Sequence, residues 1–392
     1  MTKALMKRPW PQSYRQATSQ GLARFYSTPT YTTPAPAGAS EAEVQSAKNY
    51  CSGLLQKFDS PSHTLLAFIP PPAQPAYLAL RAFNIETSRI ADTVSNPTVG
   101  AMRLQFWRDN VIRALSGTPP KEPVSILLSH ALADLDARTG GTAKMSKSWL
   151  MRIIGEREKY LNNAPYATLE SLEKYAENTY STLLYLTLQA LPMGSVTADH
   201  IASHIGKAVG ITAVLRGLPL VAFPPPPNHH SNSSPLGGTV DAQRRSQGSV
   251  TLPLDVMARA GVRDEDVLRK GAEAEGLRDA IFEVATRASD HLITARQMLK
   301  NVYAGEDVDH AFEYEGEEGH EYETQTTKGP GKVAQQKEEV ERAFGVFMPA
   351  VATGLWLDKL QKLDFDVFRE ELRRRDWKLP WKAYFAHRRR MF

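Results

Sequence analysis

Apolar residues recur three and four positions apart along most of this chain, the period of a helix with one buried face. The strongest run covers 197–218, where Ala208, Ile211, Val214, Leu215 and Leu218 share a stripe. Gly206 and Gly210 leave a flat face there for a close neighbour, and Arg216 is the only charge between Lys207 and Asp241. Upstream, the pattern predicts helices over 41–58, 76–94, 100–115, 123–136, 145–161 and 169–191. Ser40 followed by Glu43 sets a capping box before the first. In 100–115, Met102, Phe106, Ile112 and Leu115 are expected to form one stripe. Downstream come a short helix over 254–260, a long pattern over 264–303 broken near Gly276, and helices over 333–363 and 364–375. No stretch alternates apolar and polar residues over strand length, so the fold class reads as all-α.

Two stretches interrupt this periodicity. Residues 224–248 hold four consecutive prolines and then His, Asn, Ser and Gly, which reads as a flexible loop. His229 and His230 within it read as a solvated pair rather than a metal site. Residues 305–332 include nine acidic side chains between Glu306 and Glu323, a composition that resists packing. The expected organisation is therefore a leader over 1–26, a flexible linker over 27–40 and a helical domain over 41–376 with 224–248 and 305–332 as disordered insertions. A basic, aromatic C-terminal segment over 377–392 completes it.

Charge changes the picture mainly at the N-terminus. Residues 1–40 carry no Asp or Glu but contain Lys3, Lys7, Arg8, Arg15 and Arg24, with many hydroxyls, as organellar transit peptides do. Arg24-Phe25-Tyr26-Ser27 resembles a matrix-protease cleavage context. Without residues 1–26 the formal net charge falls from +4 to −1, so the basic balance belongs to the leader and gives no reason to expect nucleic-acid binding. The lone cysteine, Cys51, excludes an intrachain disulfide. No uninterrupted run of about 18 apolar residues occurs, so no transmembrane helix is expected. The longest candidate, 343–357, contains Pro349 and two glycines.

The central run and the loop after it resemble the squalene/phytoene synthase family. Its members carry G-R-A-x-Q-x-T-N-I-L-R-D-x-x-x-D followed by a G-R-x-Y-L-P loop. Gly206, Ala208, Thr212, Leu215 and Arg216 keep that frame, and Gly248, Leu252 and Pro253 keep the loop. The resemblance implies an isoprenoid-synthase-like helical bundle with a central cavity. In the family, paired aspartates hold Mg²⁺ against a substrate diphosphate. Here the second motif offers Gly217 and Val221, with Pro219 between them expected to end or kink the helix. The first motif, F-x-R-x-x-D-D-x-x-D, aligns with Phe83 to Asp92, so Ser88 and Arg89 replace two aspartates and only Asp92 remains. One carboxylate cannot hold a magnesium cluster. The site reads as degenerate, with no catalytic residue, no metal ligand set and no cofactor. Glu86, Tyr175, Tyr180 and Arg216 remain as candidate pocket residues. Glu86 and Arg89 are spaced to pair on one helix face. Glu173 and Glu177 read as a solvated pair.

A narrower resemblance comes from Ala82-Phe83-Asn84 with Glu86, then Gly100, Met102-Arg103 and Gln105-Phe106-Trp107. These positions are similar to a mitochondrial subgroup of the family, the assembly factors of respiratory complex I (NADH:ubiquinone oxidoreductase). That implies a non-catalytic mitochondrial protein on the matrix side, with complex I subunits or assembly intermediates as partners. Over 369–390, nine basic and three acidic residues are interleaved with Trp377, Trp381, Tyr384 and Phe385. This suits peripheral contact with an anionic inner membrane, an acidic protein surface, or a helix packed by its own aromatics. Two other functions stay open. One is a prenyltransferase with atypical metal ligands and Mg²⁺, in which Tyr175 and Tyr180 would stabilise a carbocation. The other is an isoprenoid- or lipid-binding module.

Overall fold

Ser40 caps the first helix as its spacing with Glu43 predicts. The Ser40 hydroxyl accepts from the Glu43 amide, and the Glu43 carboxylate accepts from the Ser40 amide at 2.7 Å. The structure, a computed structural model, describes residues 39–94, 96–224, 248–306 and 330–392. The leader over 1–26, the linker up to residue 38 and most of both insertions lie outside the described residues.

Helices α1 (Glu41–Phe58), α2 (Ser60–Leu65), α3 (Gln74–Ser88), α4 (Ile90–Thr93), α5 (Pro97–Leu115), α6 (Pro123–Thr139) and α7 (Lys147–Lys159) form the first half. Helix α8 (Leu169–Ala176) runs through a π-helical turn (Glu177–Ser181) into α9 (Thr182–Gln189), and α10 (Val196–Ala222) follows. The remainder is α11 (Leu254–Ala260), α12 (Asp264–Lys270), α13 (Leu277–Ala304), α14 (Pro330–Phe347), α15 (Pro349–Lys362) and α16 (Leu379–Arg389). No strand occurs among the described residues. Helix α10 is the axis: it packs against α8, the π turn, α9, α13, α14 and α15. Helices α1, α3 and α6 pack on one another beside it, and α3 reaches the centre through α9.

Close approach at the axis depends on the two glycines. A Cβ on Gly206 would stand 2.3 Å from the Ser181 Cα, and one on Gly210 would stand 2.5 Å from the Ala176 Cβ. Both lie far inside van der Waals contact, so α10 can seat against α8 and the π turn only without those side chains. Gly248 does the same for the loop, since its Cβ would meet the Ala222 carbonyl oxygen at 1.7 Å.

Several elements differ from the sequence pattern. The helix expected over 76–94 ends at Ser88 and is resumed as the short α4. Helix α5 starts at Pro97, because Asn96 acts as its cap and accepts from the Val99 amide at 3.0 Å. Its buried stripe is Gly100, Leu104, Trp107, Val111 and Ala114, while Met102, Phe106 and Ile112 are exposed. Residues 364–375 are not an α-helix: Asp364 and Phe365 adopt positive φ, and only a 3-10 turn (Glu370–Arg373) follows. Pro349 divides 333–363 into α14 and α15. Pro219 does not end α10, which continues to Ala222. A proline there forfeits one N–H at a helix end, where the loss is small.

Helix α10 is also long and apolar enough to cross a membrane by length and composition. Counting uninterrupted apolar runs had passed over it, because Lys207 and Arg216 break the run without lowering its average. In the fold it is the core helix of the bundle, with 56% of its most apolar window buried.

Gly206→Ala is expected to destabilise the protein by about 1–3 kcal/mol or more through overpacking. Gly53→Ala, exposed in α1 with nothing within 4 Å of its Cβ, should instead stabilise by roughly 0.5–1 kcal/mol. Urea midpoints of the two variants check this pair.

Candidate functional site

The region where the two degenerate motifs meet is built from the C-terminal ends of α3 and α7, helix α8 and the loop before α11. Arg157, on α7, is its centre. It is 8% exposed, yet its hydrogen bonds go to neutral oxygens. Nη2 donates to Asn84 Oδ1 at 2.9 Å, and Nη1 donates to the Tyr175 hydroxyl. The guanidinium also faces the rings of Tyr175 and Tyr180, 5.2 Å and 5.5 Å from their centroids. Its Nε has no partner. A buried cation without a carboxylate must be held by oriented dipoles and ring faces, since its desolvation is costly.

Three tyrosines close the space beside it. Tyr160 and Tyr166 stack with centroids 4.6 Å apart, and each lies 5.3 Å from Tyr175. The cavity left between Thr87, Ser88, Arg157, Tyr166, Tyr175 and Thr251 measures about 60 Å³. That holds about two water molecules at ~30 Å³ each. Sites for drug-sized ligands span roughly 300–1,000 Å³. The central cavity of the bundle is thus present here as a remnant occupied by the chain's own arginine and tyrosines.

The candidate residues fall in distinct places. Ser88 lines the cavity, with its hydroxyl donating to the Ile85 carbonyl at 3.2 Å. Arg89 caps α3 and turns away, its guanidinium 3.8 Å over the Phe58 ring. Glu86 does not pair with Arg89 but accepts from the Tyr50 hydroxyl at 3.0 Å. Asp92 sits at the rim, where desolvation holds its carboxyl above the usual range against the pull of Asn163 and nearby arginines. Asn163 Nδ2 lies 3.4 Å from Asp92 Oδ1. The Asn163 carbonyl accepts from the Ser249 hydroxyl at 2.8 Å, and the Ser249 amide donates to the Val221 carbonyl at 3.1 Å. The two motif positions Asp92 and Val221 are therefore joined through Asn163 and Ser249. Gly217 faces open space, with nothing within 4 Å of its Cβ position. Arg216 is exposed, 6.0 Å over the Trp356 ring, and does not reach the cavity.

Glu173 and Glu177 are not a solvated pair. Glu173 accepts from His291 Nε2 at 2.5 Å and lies 3.6 Å from Arg287. Glu177 accepts from the hydroxyls of Tyr185 and Ser203. The π turn separates them, and the hydroxyls of Thr179 and Thr182 bond to the carbonyls of Tyr175 and Glu177. Among the described residues no group of three or more His, Cys, Asp or Glu side chains stands together to hold a metal ion.

Sequence reasoning missed Arg157, Asn84, Tyr160, Tyr166 and the π turn. Arg157 lies in a Glu-Arg-Glu-Lys run that reads as a solvated face. Its one signal is position: it falls in register with the buried Ile153 and Ile154 side of α7.

A sequence profile of squalene/phytoene synthases matches residues 55–222 and 239–383. The chain belongs to the squalene/phytoene synthase family. A protein of Mus musculus named NADH dehydrogenase (ubiquinone) complex I, assembly factor 6, is 33% identical over 91% of this chain and 86% of its own length. The Bos taurus protein of the same name is 33% identical over 97% of this chain and 95% of its own. The fold matches the crystal structure of a dehydrosqualene synthase with a TM-score of 0.59 at 13% identity, covering 89% of this chain and 98% of that one. Against the family's magnesium cluster, Ser88, Arg89, Gly217 and Val221 offer no carboxylate, and Arg157 already brings a positive charge into the cavity. The residues present do not fit that metal.

Arg157→Met should lower stability by about 1–3 kcal/mol, because Asn84 and the Tyr175 hydroxyl lose their buried partner. Unfolding in urea reads this. Burial also raises the Tyr166 and Tyr175 phenols, and it pushes the Cys51 thiol up to about 12. The folded chain keeps protons that the unfolded chain releases from about pH 8.5 for Cys and 10 for Tyr. Stability from these groups is therefore complete below about pH 8.5 and is lost as pH rises toward 12. Urea midpoints should be flat near neutrality and fall progressively in alkali.

Proposed function

We propose that this chain is a non-catalytic mitochondrial assembly factor for respiratory complex I, acting on complex I subunits or assembly intermediates. The observation that carries the non-catalytic reading is the filled cavity. A remnant of about 60 Å³ lined by Arg157 and three tyrosines leaves no room for a prenyl diphosphate. The names of relatives matching most of this chain support the assembly role. The basic leader supports a mitochondrial address with the mature chain on the matrix side. The basic, aromatic C-terminal segment supports peripheral contact with the inner membrane. No cofactor is required.

A prenyltransferase would need carboxylates that Ser88, Arg89, Gly217 and Val221 do not supply. An isoprenoid-binding module would need a larger central cavity. The test has two arms. Cells lacking the chain should show reduced assembled complex I, restored equally by the wild type and by Asp92→Ala. The purified protein with farnesyl diphosphate and Mg²⁺ should release no condensation product. Robust product, abolished by Asp92→Ala, would overturn the reading.

A further inference from the structure

The C-terminal helix α16 buries Leu379, Ala383 and Ala386 and leaves its large aromatics outside. Trp377 is 75% exposed and Trp381 65%, with Tyr384 and Phe385 about half exposed. These side chains are not lost on featureless surface, because they wall two grooves. One is a cleft of about 470 Å³ formed with α2, α15 and the turn before α16. Lys57, Arg216, Lys359, Arg373, Arg374 and Arg375 line it, against the single acid Asp376. The other is a groove of about 650 Å³ between α15 and α16, floored by Val351, Leu355, Trp381 and Phe385. Trp377 lines both. A cationic cleft and an apolar groove thus share one exposed indole wall.

We propose that the two grooves form one site for an individual anionic phospholipid, its phosphate in the cationic cleft and an acyl chain along the apolar groove. The inference deepens the membrane contact proposed above and rests on it. Six cations against one acid select a phosphate-bearing head over a neutral one. Little in the cleft neutralises them internally: Arg216 lies over Trp356, Arg375 donates to the Gln56 carbonyl, and Arg374 meets Glu370 only at 3.7 Å in solvent. The adjoining apolar groove is what an acidic peptide or a free phosphate would leave empty and an acyl chain would fill. Tryptophan and tyrosine, amphipathic at one end, suit the level where headgroup meets chain. Lys378, Lys382 and Arg389 border that groove and would meet neighbouring headgroups.

The test uses the full chain, so that the leader's cations are common to every variant. Binding is measured by co-sedimentation with phosphatidylcholine vesicles, with and without phosphatidylglycerol. Native mass spectrometry counts bound lipid. The wild type should bind the anionic vesicles and carry one phosphatidylglycerol. Joint substitution of Arg373, Arg374 and Arg375 by Gln should lower partition at least about tenfold, at several-fold per cation. Trp381→Ala should lower it while keeping its salt dependence. All four positions are exposed, so thermal midpoints should not move. Wild-type binding that both variants retain would overturn this site and leave general membrane contact standing. No binding of the wild type to either vesicle would overturn both. Saturation by inorganic phosphate or an acidic peptide, with no lipid carried, would assign the cleft to that ligand and overturn the lipid.

Discussion

A guanidinium buried without a carboxylate is the constraint around which the centre of this bundle is arranged. Arg157 enters from α7 and must recover its lost hydration from neighbours that carry no charge. It does so from three directions: an amide oxygen on α3, a phenol on α8 and the ring of Tyr180 in the π turn. These partners come from elements far apart in sequence. Their positions are therefore coupled, and disturbing one leaves a buried charge exposed to the cost of desolvation. Tyr160 and Tyr166 complete the enclosure by stacking on Tyr175, which excludes the water that would otherwise compete for the same donors.

The axis and the plug depend on one another. Helix α10 can approach α8 and the π turn only because Gly206 and Gly210 lack side chains. That approach fixes the turn that carries Tyr180 and orients Glu177 toward Tyr185 and Ser203. At the far end, Ser249 and Asn163 tie Val221 to Asp92 by hydrogen bonds. In related synthases, metal-bound diphosphate bridges those two motifs. Here uncharged side chains and backbone join them, and a fixed internal cation fills the space between. The scaffold of an isoprenoid synthase is kept, and its interior has become structural.

Much of this architecture was legible in the sequence. The capping box at Ser40, the flat face at Gly206 and Gly210 and the axial helix over 197–218 all rest on local rules, which hold wherever the helix finally packs. What stayed hidden is nonlocal. Arg157 sits among Glu156, Glu158 and Lys159, and only the packing of α3 and α8 shows that it points inward. The π turn inserts one residue into a continuous helical pattern, so periodicity passes over it. Met102 and Phe106 are apolar but exposed, because α5 turns Leu104 and Trp107 to the core instead. Asp364 and Phe365 occupy a left-handed conformation that composition does not announce. The absent carboxylates were visible at once, but what replaced them was not.

The filled interior is tested most directly by calorimetric titration of the folded protein with farnesyl diphosphate in the presence of Mg²⁺. A cavity closed by Arg157 and its tyrosines predicts no saturable heat up to about millimolar ligand. A one-to-one isotherm in the micromolar range, or tighter, would contradict it.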